Sequence, residues 1–468
     1  MVWINDHRWR IIMRPQFILN VAALSPQEIG EHTPHLKALA EQGTMSPLLV
    51  PDPALTSVSH ATMLTGLLPK EHGIVANGWY DRDYARILNW NRSDRLMQGE
   101  KLWEASQALF PESKSANLFW RFCTHANCDF VLTERPTYFA NGRKGADVYS
   151  PQENQKKRLI DRYGPFPFFN FWGPKASLKS SEWIVNIARD LIQSAEHQLI
   201  LCYAPGLDYD GQRFGPTSPQ ALKTLKQGDA LFGVLIQEAL QAGYDVSVVS
   251  DYGFTTVHRP IFLNRILRQH GYLSVENAVN GELLEPGASQ AFAVSDNQAA
   301  HIYINDHDVL RKVKTLLEKT EGVAQVLESS ESIALGHARS GQLLAIAESD
   351  AWFAYPYWLD ETKAPDFVNC VDIFSKPGFD PCEMFLKPGL SGGLHVAKRF
   401  AQLKLGIRAP FDVISPDPFA VRGARNIRPK TPAESAVWIS SWQRESKQSI
   451  PMQDLKGLWL EQMQTPSN

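Results

Sequence analysis

Strong net charge is missing from this sequence: 47 Lys and Arg stand against 50 Asp and Glu in 468 residues, a formal balance of −3. That excludes the basic footprint of a protein that holds a nucleic-acid polymer. Cysteine is scarce and irregular. Cys123, Cys128, Cys202, Cys370 and Cys382 are odd in number and lack framework spacing, which argues against a disulfide-stapled fold and for a reducing compartment. No second cysteine pair at zinc spacing follows Cys123 and Cys128, so a structural zinc clip is not expected. Long apolar runs are absent too, and no membrane span is expected. The opening MVWINDHRWRIIMRPQF is too charged for a secretory signal, which makes cytoplasmic location the expectation. There is no internal repeat and no low-complexity tract.

What is present suits a large globular core. Hydrophobic residues make up 44% and charged residues 21%, ordinary values for a folded domain. The chain then alternates. QFILNVAAL at 16–24 is a nearly continuous apolar run, as for a buried parallel strand. A helix is expected over 34–42, with Pro34 in its first turn and Gly43 at its end. Helical spacing returns at 101–109, 180–194 and 219–242, and strand-like runs at 48–50, 116–120, 199–205 and 244–250. This βα alternation predicts a mostly parallel sheet with helices on both faces. The expected organisation is a core from 1–258, a smaller inserted α+β cap over 259–361, a return to the core over 362–428, and a polar tail over 429–468.

The most informative stretch is LLVPDPALTSVSHATMLTGLLPKEHGI, 48–74. Its start is β-like, Pro51 and Pro53 break it, and Thr56 opens a helix ending near Gly66. Amides in a first helical turn lack intrahelical partners and carry the positive end of the dipole, so a hydroxyl there meets an anion-favouring position. From residue types alone, Thr56 or Ser57 could equally be a plain N-cap. Two aspartates follow buried strands, Asp208 after LILCYAP and Asp251 after YDVSVVS, where an open α/β sheet has its ligand crevice. Paired carboxylates near a hydroxyl are what a divalent cation needs to polarise a phosphoryl group.

The 48–74 stretch reads P-x-x-T, then H-x-T-x-x-T-G-L-x-P-x-x-H-G-I. It resembles the nucleophile segment of type I phosphodiesterases and nucleotide pyrophosphatases in the alkaline phosphatase superfamily. The resemblance implies an alkaline-phosphatase-like three-layer α/β sandwich, and Thr56 as nucleophile. It puts Ser59 where the family has a phosphate-binding asparagine. Asp208-Tyr209-Asp210-Gly211-Gln212-Arg213-Phe214-Gly215-Pro216 is similar to D-x-x-G-H-x-x-G-P, so Asp208 matches a zinc ligand and Gln212 replaces a histidine. Ser250-Asp251-Tyr252-Gly253 resembles S-D-H-G, so Asp251 matches and Tyr252 replaces histidine. Ala22 falls at the family's first aspartate, and Arg425 at its last histidine.

The resemblance therefore implies a phosphate-ester hydrolase with a threonine nucleophile and altered or reduced metal dependence. The alternative is an inactive binding or scaffold protein of the same fold. One hard cation on Asp208 and Asp251 (magnesium, manganese or calcium) is expected in preference to a two-zinc centre, with no metal at all as the other option. Asn20, on the same strand face as Ala22, is a candidate to present an oxygen to the pocket. Arg425 is a candidate for fixed positive charge, and His60 for a base, with a packing histidine as the plain reading. The expected ligand is a small phosphorylated molecule.

Overall fold

The computed structural model describes residues 13–140, 144–328, 335–407, 409–445 and 448–466. The elements that position the site follow in chain order. Strand β1 (Gln16–Val21) is buried along its whole length. Helix α1 (Pro34–Gln42) occupies the expected span, since Pro34 fixes its first turn. Strand β2 (Thr44–Leu49) precedes α2 (Thr56–Thr65), which ends at Gly66 with φ +71°, a left-handed cap suited to glycine. Next come β3 (Ser115–Leu118), β4 (Phe130–Glu134), the short β5 (Val148–Tyr149) and α3 (Lys179–Ser194). Strand β6 (Leu199–Ala204) leads into α4 (Leu207–Phe214), and α5 (Pro219–Gln241) leads into β7 (Asp245–Val249) and β8 (Gly253–Thr256).

The 259–361 region contains β9 (Ala291–Asp296), β10 (Ala299–Ile304), α6 (Leu310–Glu318), β11 (Val323–Glu328) and β12 (Leu343–Ala347). These strands form a separate antiparallel sheet in the order β9–β10–β12–β11. The last elements are α7 (Gly389–Lys404), β13 (Gly423–Asn426), β14 (Ala436–Ser440), β15 (Ile450–Pro451) and α8 (Leu455–Gln464).

Among the described residues, nine strands make the main sheet in the order β15–β2–β14–β7–β1–β6–β3–β4–β5. Its centre is parallel: β1 lies between β6 and β7, and β3 continues beyond β6. This is the architecture that the βα alternation predicts. Strands buried on both faces need largely apolar sequence, and β1, β6 and β7 supply it.

The stretch after 428 departs from the polar tail expected for it. Strand β14 inserts between β2 and β7, antiparallel to both. Trp438 of β14 and Trp459 of α8 are fully buried, and both indole N–H groups donate to the Ser247 hydroxyl on β7, at 2.6 and 3.0 Å. The physical reason is local: AVWIS is a short apolar run inside polar surroundings, and its pairing partners are remote in sequence.

Candidate active site

Asn20 pairs with Val249 and Val21 with Ala204, so the carboxyl ends of β1, β7 and β6 lie side by side. The chain leaving β7 carries Asp251 and Tyr252, and the chain leaving β6 enters α4 with Asp208 in its first turn. Strand β8 pairs antiparallel with β13, Phe254 opposite Arg425, and this brings Arg425 back to the Asp251–Tyr252 turn. Gly253 is required there: a Cβ would lie 1.8 Å from the Glu434 carbonyl oxygen.

A line of polar side chains starts at the head of α2. Thr56 lies beside the Tyr252 phenol. Tyr252 donates to Asp208 Oδ2 at 3.1 Å, and Gln212, one turn along α4, donates to the same oxygen at 2.8 Å. The Arg425 guanidinium lies 4.8 Å over the Tyr252 ring and 4.8 Å from the Phe379 ring, and donates to Asp296 Oδ1 at 3.2 Å. Asp296 ends β9, so the antiparallel sheet contributes a carboxylate that no sequence motif announced. Its Oδ2 accepts from Asn77 at 2.7 Å, and Asn77 Oδ1 accepts the Ser57 N–H in the first turn of α2 at 3.0 Å.

The Ser59 hydroxyl donates to the Asp251 backbone carbonyl at 2.6 Å, and the side-chain amide that reaches the α2 first turn is Asn77. Asn20 and His60 are turned to each other at 2.8 Å, with Asp251 Oδ2 3.7 Å from His60 Nε2. The Arg121 N–H donates to His60 Nδ1 at 3.0 Å, so the neutral ring must carry its proton on Nε2. The amide of Asn20 then has to present its oxygen to that proton, which also gives Asn20 Oδ1, otherwise buried without a partner, its hydrogen bond.

Electrostatics follow from burial. Desolvation pushes Asp251 up to about 7 and raises Asp208 and Asp296, while the charge of Arg425 pulls all three the other way. Burial, then the charge of Arg121, holds His60 well below the usual histidine range, so it is neutral. Burial also raises Tyr252 far above an ordinary phenol. For Arg425, burial disfavours the cation, but Tyr252, Asp296, Asp208 and Asp251 together outweigh it and its pKa rises. The cluster is closed: Thr56 is 3% exposed, Arg425 4% and Asp208 5%. A surface cleft of about 420 Å³, lined in part by Trp90, Arg92, Arg135 and Phe374, lies next to it. Trp90 packs 6.2 Å from Phe379, the ring that contacts Arg425.

The residues present do not fit the metal centre that the family pattern implies. Asp208 Oδ2 is already taken by Gln212 and Tyr252, and the guanidinium of Arg425 supplies the positive charge between the carboxylates. Among the described residues, no three His, Cys, Asp or Glu side chains are grouped closely enough to hold an ion. Amide, phenol and guanidinium stand where the family pattern has ligands, which leaves Asp208 and Asp251 as the two matching carboxylates.

Comparison with known proteins agrees with this architecture. Over 247 residues the chain is 28% identical to an uncharacterized pyrophosphatase/phosphodiesterase of Schizosaccharomyces pombe, covering 50% of this chain and 44% of that protein. Against ectonucleotide pyrophosphatase/phosphodiesterase 1 of Saccharomyces cerevisiae it is 26% identical, covering 46% and 30%. The chain thus spans less than half the length of these curated relatives. Among solved structures, murine ectonucleotide pyrophosphatase/phosphodiesterase 5, an inactive variant in complex with AMP, matches with a TM-score of 0.60 at 14% identity over 97% of both chains. Phosphonoacetate hydrolase from Sinorhizobium meliloti, in complex with phosphonoformate, matches with a TM-score of 0.63 at 13% identity over 99% of both. At these identities the two structures establish the alkaline-phosphatase-like fold. Residues 18–380 match the sequence model of type I phosphodiesterase/nucleotide pyrophosphatase, and with most of its length so matched, the chain belongs to that family.

Proposed function

We propose that the protein hydrolyses a small phosphate ester with Thr56 as nucleophile, and that Arg425 supplies the fixed positive charge of the site in place of a two-zinc centre. The observation that carries this reading is the line of side chains from Thr56, beside the Tyr252 phenol, through the Tyr252–Asp208 hydrogen bond, next to the Arg425 guanidinium. Along it, the Thr56 proton passes to the Tyr252 oxygen as the phenol proton moves to Asp208 Oδ2. Thr56 Oγ1 forms a bond to phosphorus, the bond to the leaving oxygen breaks, and water later hydrolyses the phospho-threonine. The guanidinium of Arg425 neutralises charge on the phosphoryl oxygens. Substrate approaches from the neighbouring cleft, and entry requires the Trp90–Phe379 pair to part.

A second reading, a phosphate-ligand binding or scaffold protein without turnover, is favoured by one observation. Arg425 is a single cation facing Asp208, Asp251 and Asp296 in a closed space, a balance that opposes an entering anion. Turnover of a nitrophenyl phosphodiester separates the two. The hydrolase reading expects activity in the wild type, none in Thr56→Ala, and a strong loss of kcat in Tyr252→Phe. Activity undiminished in Thr56→Ala rejects the nucleophile, and a wild type inactive with and without added divalent cations supports the binding role.

A further inference from the structure

Helix α7 turns an apolar stripe toward solvent. Leu390 and Leu394 on the helix and Leu405 just past its end are 91%, 73% and 75% exposed, and Ala397 and Ala401 are exposed as well. Steps of three and four residues put Leu390, Leu394, Ala397 and Ala401 along one side of the helix. The other side is held to the protein. Arg399 and His395 bond Asp412 at 2.6 and 2.9 Å, Phe400 meets Phe411 edge-on at 5.4 Å, and the Lys175 ammonium lies 4.8 Å over the Phe400 ring. The helix is thus fixed through one side while the leucine side faces outward.

Its charge is of one sign. Between Glu383 and Asp412 the sequence contains no acid, while Lys387, Lys398, Arg399 and Lys404 all fall there. Lys398 and Lys404 are exposed, and helical spacing puts them on opposite margins of the stripe. We propose that α7 is an interfacial helix that docks the protein on an anionic lipid surface, with the leucines in the acyl boundary and the lysines on the headgroups. Apolar burial and attraction to acidic headgroups act together in such a helix. At 16 residues it is shorter than a bilayer span requires, which suits lying in the interface. Self-association is disfavoured by charge: a twofold contact centred on α7 would set Lys398 and Lys404 against their own copies with no acid to offset them.

Flotation of the full chain with vesicles tests this. Binding is expected to phosphatidylcholine vesicles containing phosphatidylserine, not to phosphatidylcholine alone, and the bound fraction should fall as salt rises. Leu390→Asp/Leu394→Asp should abolish it, and Lys398→Glu/Lys404→Glu should reduce it several-fold. Both pairs are exposed, so each variant should keep the wild-type melting temperature. Absence of wild-type binding to the mixed vesicles overturns the proposal, as does binding that neither double variant changes. A lipid-free dimer that dissociates in Leu390→Asp/Leu394→Asp overturns it in favour of self-contact.

Discussion

Arg425 and Asp296 form a buried ion pair at 3.2 Å, and the two residues come from different sheets, β13 beside the main core and β9 in the antiparallel one. The pair ties these sheets together at the point where Asp208 and Asp251 also face the guanidinium. Removing the cation leaves carboxylates buried without compensation, which costs more than losing a surface pair. Arg425→Met should lower unfolding free energy by about 3–5 kcal/mol in urea denaturation at neutral pH. The loss should shrink as pH falls and the carboxylates take up protons. A loss that stays below 1 kcal/mol would mean that Arg425 does not balance the acids around it.

Asp251 gives stability a pH dependence of known sign. Its folded pKa, about 7, lies above the ordinary aspartate value of 3.8, so between these pH values the folded protein holds a proton that the unfolded chain releases. The contribution of Asp251 to stability therefore falls as pH rises from about 4 to about 7, and is constant above. Asp251→Asn removes this slope. Relative to wild type, the variant should gain stability between pH 4.5 and pH 8, on the order of a few kcal/mol at roughly 1.4 kcal/mol per pKa unit. A difference that is flat with pH, or of opposite sign, contradicts the assignment.

His60 should remain neutral, with its proton on Nε2, across the range in which an exposed histidine titrates. Nitrogen-15 correlation spectra of the imidazole between pH 8 and pH 5 check both points. In Asn20→Ala the Nε2–H loses its acceptor, and the expected cost is about 1–3 kcal/mol of stability. An Nδ1 proton, or protonation above pH 5, would contradict the orientation of Asn20.

The family pattern names what this site would need in order to hold zinc. Ala22→Asp, Gln212→His, Tyr252→His and Arg425→His, combined in one chain, remove the internal cation and supply carboxylate and imidazole donors. Elemental analysis after dialysis against zinc should find metal retained by this variant and far less by the wild type. Equal retention in the two proteins would show that Arg425 does not exclude metal.

Much of the framework could be read in the residues. The buried strands β1, β6 and β7 are mostly apolar runs, and α1 and α2 are bracketed by a proline or threonine at the head and a glycine at the end. The site was less legible, because its closing contacts are remote in sequence. Asn77 reads as half of an Asn-Gly turn, yet it links the first turn of α2 to Asp296, 219 residues away. Asp296 sits at an unremarked strand end. Arg425 was legible as a candidate charge, but its partner Asp296 follows only from the register that sets it opposite Phe254. Burial was also hidden, since residue types fix that Thr56 heads a helix but not that side chains from elsewhere cover it.

The insertion of β14 between β2 and β7 has a consequence for how the protein is made. Two neighbours in the finished sheet emerge from the ribosome long before the strand that joins them, and each waits with an unpaired row of backbone groups. The main sheet can become continuous only after residues 436–440 have emerged. A nascent chain stalled before 436 would carry open strand edges suited to capture by a chaperone or by another copy.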